Sequence, residues 1–175
     1  MKNTFKTTIV LFIALTALVA CKKKTDNPMD FTIDDQNLTA CLPGVSCSYE
    51  YANYSSMQGD GFALITGQNR IFWVKNEKPS ITTWIFIQAP MIGDKFLLTE
   101  ADIRSGKIKY LISCPACLAI SPKLLGGTVK GIKVTEVNTT SEKWLIDAHI
   151  ITKFEGSTIP VDTIHIKQYF NLAVK

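Results

Sequence analysis

The chain has 175 residues, with 19 Lys and Arg against 15 Asp and Glu and a formal net charge of +4. Five of those bases, Lys2, Lys6 and Lys22 to Lys24, lie in the first 24 residues, which leaves 14 bases against 15 acids in the body. A body of net charge −1 lacks the basic face that releases counterions from a phosphate backbone, so nucleic acid is excluded as a partner.

The chain opens with Lys2 and Lys6 ahead of a short apolar stretch, Ile9 to Ala20, interrupted by Thr16. A helix crossing the hydrocarbon core needs about 20 apolar residues. A positive start, a short apolar run and small residues at a cut site instead describe an export signal over residues 1–20. Leu18-Val19-Ala20-Cys21 resembles the lipobox of bacterial lipoproteins, in which the peptidase cuts just before a lipid-bearing cysteine. The resemblance implies that Cys21 is the lipidated N-terminus and that the chain is held to a membrane by several acyl chains. One chain alone anchors only marginally.

Lys22, Lys23 and Lys24 suit anionic head groups. In lipoproteins generally, an aspartate after the cysteine favours the inner membrane, and acidic residues there accompany surface display in Bacteroidota. Lysines instead imply an outer-membrane location facing the periplasm. Residues 25–35 (TDNPMDFTIDD) are polar and acidic and read, with Cys21, as a tether. Residues 36–175 are expected to form one domain with a real core.

Turn signals recur through the body, at Pro43-Gly44, Gly59-Asp60-Gly61, Gly67-Gln68-Asn69, Pro79, Pro90, Gly93-Asp94, Gly126-Gly127 and Gly156. Between them lie runs rich in Val, Ile, Thr, Tyr, Phe and Trp. This predicts strands at Ser46–Tyr54, Phe62–Thr66, Arg70–Lys75, Ile81–Gln88, Lys107–Cys114, Thr128–Val137, Lys143–Phe154 and Asp162–Val174. Leu98 to Arg104 suits one helical turn capped by Thr99, with Asp102 at the third position. The fold class is therefore all-β: an antiparallel β-sandwich, with a partly closed lipocalin-like barrel as the alternative. Ile71–Val74 and Ile81–Ile87 are apolar on both faces, as a central strand requires, or as the lining of a cavity for an apolar ligand would be.

The last third alternates most clearly. Trp144, Ile146, Ala148 and Ile150 share one face of their strand, and Ile164, Ile166, Phe170 and Leu172 share one face of the next. The two strands flank Glu155-Gly156-Ser157 and should pair as a hairpin. Keeping both apolar sets inward requires paired residue numbers with an even sum. One such register sets Trp144 opposite Phe170, Asp147 opposite Lys167 and His149 opposite His165; the next sets Asp147 opposite His165. Either way Asp147, His149, His165 and Lys167 gather on the outer face. Two imidazoles and a carboxylate could hold a metal or form a base with its orienting partner. Against this, Lys167 would repel a cation, and no nucleophile is marked by motif. The reading adopted is a solvated polar face, a candidate binding surface with no metal or cofactor assigned.

Cys41 and Cys47, and Cys114 and Cys117, form two close pairs. Behind an export signal they read first as structural disulfides paired locally, second as zinc ligands, and third as a redox pair. Cys114-Pro-Ala-Cys117 has redox spacing but no strand–helix–strand frame around it. From Gly93 onward the layout, with its GGTVKG opening into a terminal meander, is similar to small uncharacterised all-β lipoproteins of the Bacteroidota. That similarity implies the fold and no activity. With no catalytic motif present, the chain is expected to be a non-catalytic envelope lipoprotein that binds an unknown ligand or envelope partner. The alternatives are a metal-binding or hydrolytic protein using the Asp147, His149 and His165 face, and a carrier of apolar ligands.

Overall fold

The computed structural model describes residues 29–59, 63–115, 122–134, 142–154 and 162–174. Cys21, the export signal, the Glu155-Gly156-Ser157 turn and Cys117 lie outside the described residues. The body, Phe31–Lys175, is one compact unit and contains nine strands among its described residues. They are β1 Ser46–Met57, β2 Leu64–Thr66, β3 Asn69–Lys78, β4 Ile81–Pro90, β5 Lys95–Leu98, β6 Ile108–Ser113, β7 Lys123–Val134, β8 Lys143–Lys153 and β9 Asp162–Leu172. All eight expected strands are present; β7 begins five residues before its expected start, and Phe62 and residues 135–137 of the expected ranges lie outside the described residues. The fold is all-β.

The strands form one sheet in the order β5-β7-β8-β9-β1-β3-β4-β6, with β2 added beside β1. The sheet curls into a half-barrel, and its apolar concave face is the core. Among the described residues every ladder is antiparallel except one: β9 meets β1 in parallel, through Glu50–Asn171 and Tyr51–Leu172. This join connects the two halves of the sheet, and it is short. Beyond it toward the start of β1 the two strands part, and Thr39 takes the place beside β9. The Thr39 amide donates to the Lys167 carbonyl at 2.7 Å, and the Lys167 amide donates to Thr39 Oγ1 at 2.8 Å.

The β8–β9 hairpin adopts the first of the two expected registers, with Trp144 opposite Phe170, Asp147 opposite Lys167 and His149 opposite His165. Trp144, Ile146, Ala148, Ile150 and Phe170 are buried as the alternation requires. β3 lies between β1 and β4, the central position its two-sided apolar run suits. Phe72 is the hub of the core. Its ring lies 5.4 to 5.6 Å from those of Tyr51, Phe96, Trp144 and Phe170, distances at which edge and offset contacts are favourable.

Phe96 comes from β5, a strand the sequence reading did not include. It can lie against β7 because Gly131 has no side chain: a Cβ there would sit 2.1 Å from Phe96 Cε1. After β5, a helical turn at Glu100–Asp102 forms as expected. Thr99 N and Thr99 Oγ1 both donate to Asp102 Oδ2, at 2.8 and 2.9 Å.

The start of the body departs from the tether reading. Phe31 to Asp35 lie across the outer face of the sheet as a strap. Lys95 Nζ donates to the Phe31 carbonyl at 2.7 Å, Asp34 pairs with Lys167 at 2.6 Å, and Tyr169 Oη reaches Asp35 Oδ2 at 3.3 Å. The compact unit thus begins at Phe31, five residues before the expected boundary.

Candidate functional site

Three places in the body bring together groups with chemical or binding potential. The first is the outer face of the β8–β9 hairpin. Because β-strand side chains alternate with period two, Asp147 and His149 share a face, and the register brings His165 directly opposite His149. His149 Nε2 lies 3.3 Å and His165 Nε2 lies 3.5 Å from Asp147 Oδ1. The two imidazole rings face one another at 4.0 Å, tilted by 34°. Lys167, grouped with them from the sequence, lies opposite Asp147 on the same face but turns its ammonium to the strap. Its ammonium is held by Asp34, and the side chain is largely buried under the strap. Asp34 is in turn held below its usual carboxylate range by the hydrogen bond from Lys167.

The second is the cysteine set. Cys41 and Cys47 form the expected local disulfide, with Cα atoms 5.9 Å apart. This excludes a crossed link from either of them to Cys114 or Cys117. Cys114 follows the end of β6 and is itself disulfide-bonded; the expected Cys114–Cys117 pairing involves a residue outside the described ones.

The third was not assembled from the sequence. Where β1 and β9 part, the concave face opens into a cleft of about 320 Å³. Its floor is Tyr49, Val74, Ile85, Tyr110, Ile164 and Ile166; Asn76, Lys78 and Thr83 form a polar rim, and the Thr39–Val45 segment, pinned by the Cys41–Cys47 bond, forms a wall. Burial pushes the phenol of Tyr49 and that of Tyr110 upward, so both stay neutral at physiological pH. The volume is at the lower end of that of small-molecule sites, and an apolar floor with a few polar groups at the mouth is their usual make-up. The sequence carried one signal of it, the inward-facing Ile81, Thr83 and Ile85 of a strand apolar on both faces.

The opposite end of the concave face is filled. Arg70, 5% exposed, lays its guanidinium 4.1 Å from the Trp144 ring. Its Nη2 lies 3.5 Å from Glu142 Oε1, and its Nε donates to Asn53 Oδ1 at 2.8 Å. Glu142 also receives Trp144 Nε1 at 2.9 Å and Lys133 Nζ at 3.0 Å, and its carbonyl accepts the Tyr51 hydroxyl at 2.9 Å. Burial lowers the affinity of Arg70 for its proton, and Glu142 opposes that. Burial raises the Glu142 carboxyl, but the bonds from Trp144 and Lys133 outweigh it and hold the group below its ordinary value. Tyr51, fully buried, is pushed up to about 12 by burial and by the Glu142 charge.

Among the described residues no helix is long and apolar enough to cross a membrane. In comparisons with protein-family models, with curated proteins and with solved structures, nothing matches the chain.

Proposed function

We propose that this chain is a lipid-anchored, non-catalytic binding protein of the outer membrane, facing the periplasm, and that it takes a small apolar or amphipathic molecule into the cleft between β1 and β9. The observation that carries the ligand class is the cleft itself: a concave apolar floor with polar groups confined to its rim. Burying apolar ligand surface there would contribute roughly 25 cal/mol per Å². Asn76, Lys78 and Thr83 at the rim suit a polar head group. The anchor rests on the lipobox-like Leu18-Val19-Ala20-Cys21.

The test is native purification of the full chain followed by mass spectrometry of small molecules released on denaturation, with the dye 8-anilinonaphthalene-1-sulfonate as an added probe. Thr83→Phe should fill the mouth, deplete the released molecule and reduce dye binding, while changing stability by less than about 1.5 kcal/mol, since the site has room for the ring. Equal recovery of ligand from wild type and variant, or none from either together with no saturable dye binding, overturns the cleft reading. Cys21→Ala should release the protein from membranes; a variant that still fractionates with them at mature size overturns the anchor.

A further inference from the structure

We propose that Asp147, His149 and His165 form a binding site for a single divalent cation of the zinc class on the outer face of the β8–β9 hairpin. The proposal does not depend on the cleft reading, although His165 also borders the cleft.

Three observations carry it. The first is convergence. One ligand atom from each of the three side chains lies within 4.8 Å of the other two. Zinc sits about 2.0 to 2.2 Å from nitrogen and carboxylate donors. Two such donors at right angles or at a tetrahedral angle are then about 3.0 to 3.5 Å apart. The two Asp147–histidine separations, 3.3 and 3.5 Å, match the tetrahedral spacing.

The second is direction. Asp147 Oδ1 is buried yet has no hydrogen-bond partner among the described residues, although two imidazole nitrogens lie close by. A buried carboxylate oxygen without a partner is costly. A cation set between the three donors, rather than on any line joining two of them, satisfies all three at once.

The third is charge. The two cations next to Asp147 along the sheet, Lys130 on β7 and Lys167 on β9, are both directed to the strap. Lys167 Nζ pairs with Asp34, and Lys130 Nζ lies 5.7 Å from the Phe31 ring. The ammonium of Lys167, expected on sequence grounds to repel a cation, is therefore paired with Asp34, and among the described residues neither lysine forms a salt bridge with Asp147.

The donor set selects the metal class. Two imidazoles and one carboxylate suit zinc and its first-row neighbours, whereas calcium and magnesium require mainly oxygen ligands. Both histidines are about half exposed, so a fourth position would face solvent. The chain has 2 histidines, and both are here, so any imidazole-held metal must bind at this place.

Titration of the tag-free full chain in detergent with Zn²⁺, and separately with Mg²⁺, tests the site by calorimetry and by the imidazole proton resonances. One equivalent of Zn²⁺ should bind and shift both histidines together, and Mg²⁺ should shift neither. His149→Ala and His165→Ala should each weaken zinc at least about 100-fold, the upper end of what loss of even an outer partner causes. Asp147→Asn should weaken it at least about tenfold. Absence of stoichiometric zinc, unchanged zinc in the double histidine variant (which would place it on cysteines), or movement of one imidazole only would overturn the proposal. The resonance titration uses the wild type, so it decides the matter even if a variant fails to fold.

Discussion

The two ends of the half-barrel's concave face are built from the same strands and behave as opposites. At one end Phe72, Trp144, Phe170 and Tyr51 pack ring against ring, and the Arg70–Glu142 pair closes over them. At the other, a few residues along the same strands, Val74, Ile85 and Ile164 line an open cleft. The cause is the parallel join. It holds β1 to β9 only at Glu50–Asn171 and Tyr51–Leu172, beside the filled end. Where strands are hydrogen-bonded, their inward side chains meet; where they part, the concave face is left without a partner layer. Close packing is thus concentrated at one end and open apolar surface at the other, a division common to proteins whose sites sit on rigid scaffolds.

The largest effect is expected at the hub. Phe72→Ala should cost about 3–5 kcal/mol, the range for removing a buried aromatic side chain. Urea unfolding that shows a loss below about 1 kcal/mol would mean the filled end is not the stabilising one.

Next comes the ion pair. Glu142→Ala leaves the Arg70 guanidinium buried without its carboxylate and should cost about 2–4 kcal/mol. Arg70→Met combined with Glu142→Ala should recover part of that loss, because an apolar chain on Trp144 needs no counter-charge. A strictly additive double variant would show that the two residues stabilise independently.

The same end should also respond to pH, in both directions. Tyr51 has a folded-state pKa of about 12 against an ordinary 10.0, so its contribution is fully present below pH 10 and is lost as pH rises from 10 to 12. At two pKa units this is about 2–3 kcal/mol. Glu142 is shifted the other way: its contribution is present above its ordinary 4.5 and is lost as pH falls through the lower folded-state value. Tyr51→Phe should abolish most of the alkaline loss. If the loss between pH 10 and 12 persists in that variant, another group carries it.

The smallest effect is expected at the open end. The Cys41–Cys47 bond closes a loop of sequence separation 6, for which chain entropy gives about 2 kcal/mol. Cys41→Ser with Cys47→Ser should therefore lower stability modestly while loosening the Thr39–Val45 wall. Dye binding in the cleft should change more than the unfolding midpoint does. The reverse pattern would mean that the disulfide serves the core rather than the site.

Much of this was legible in the residues. The alternation along Trp144–Lys153 and Asp162–Val174, with the even-sum condition, reduced the hairpin to two registers, and the structure has one of them. The outer-face grouping of Asp147, His149 and His165 followed from that parity alone. The cap at Thr99 and Asp102 and the local Cys41–Cys47 bond were likewise readable, because each depends on residues a few positions apart.

What the sequence alone determined about this protein is local: strand period, turn position, the face on which each side chain of a hairpin lies, and short-range covalent closure. These follow from backbone geometry with period two and from the short reach of a turn. The tertiary structure alone decided the rest. β9 could have met β1 in either direction, and nothing within either strand records the parallel choice across more than a hundred intervening residues. Phe31–Asp35 is as acidic and polar as a tether, and it becomes a strap only because Lys95, Lys167 and Tyr169 present their partners on the folded outer face. The four residues of β5 are too short to show a period, and they are a strand because Gly131 leaves space for Phe96. Even the neutralising of Lys167, on which the chemistry of the histidine face turns, depends on Asp34, 133 residues away. Such contacts are set by which surfaces the fold brings together, and no short window of sequence contains both sides of them.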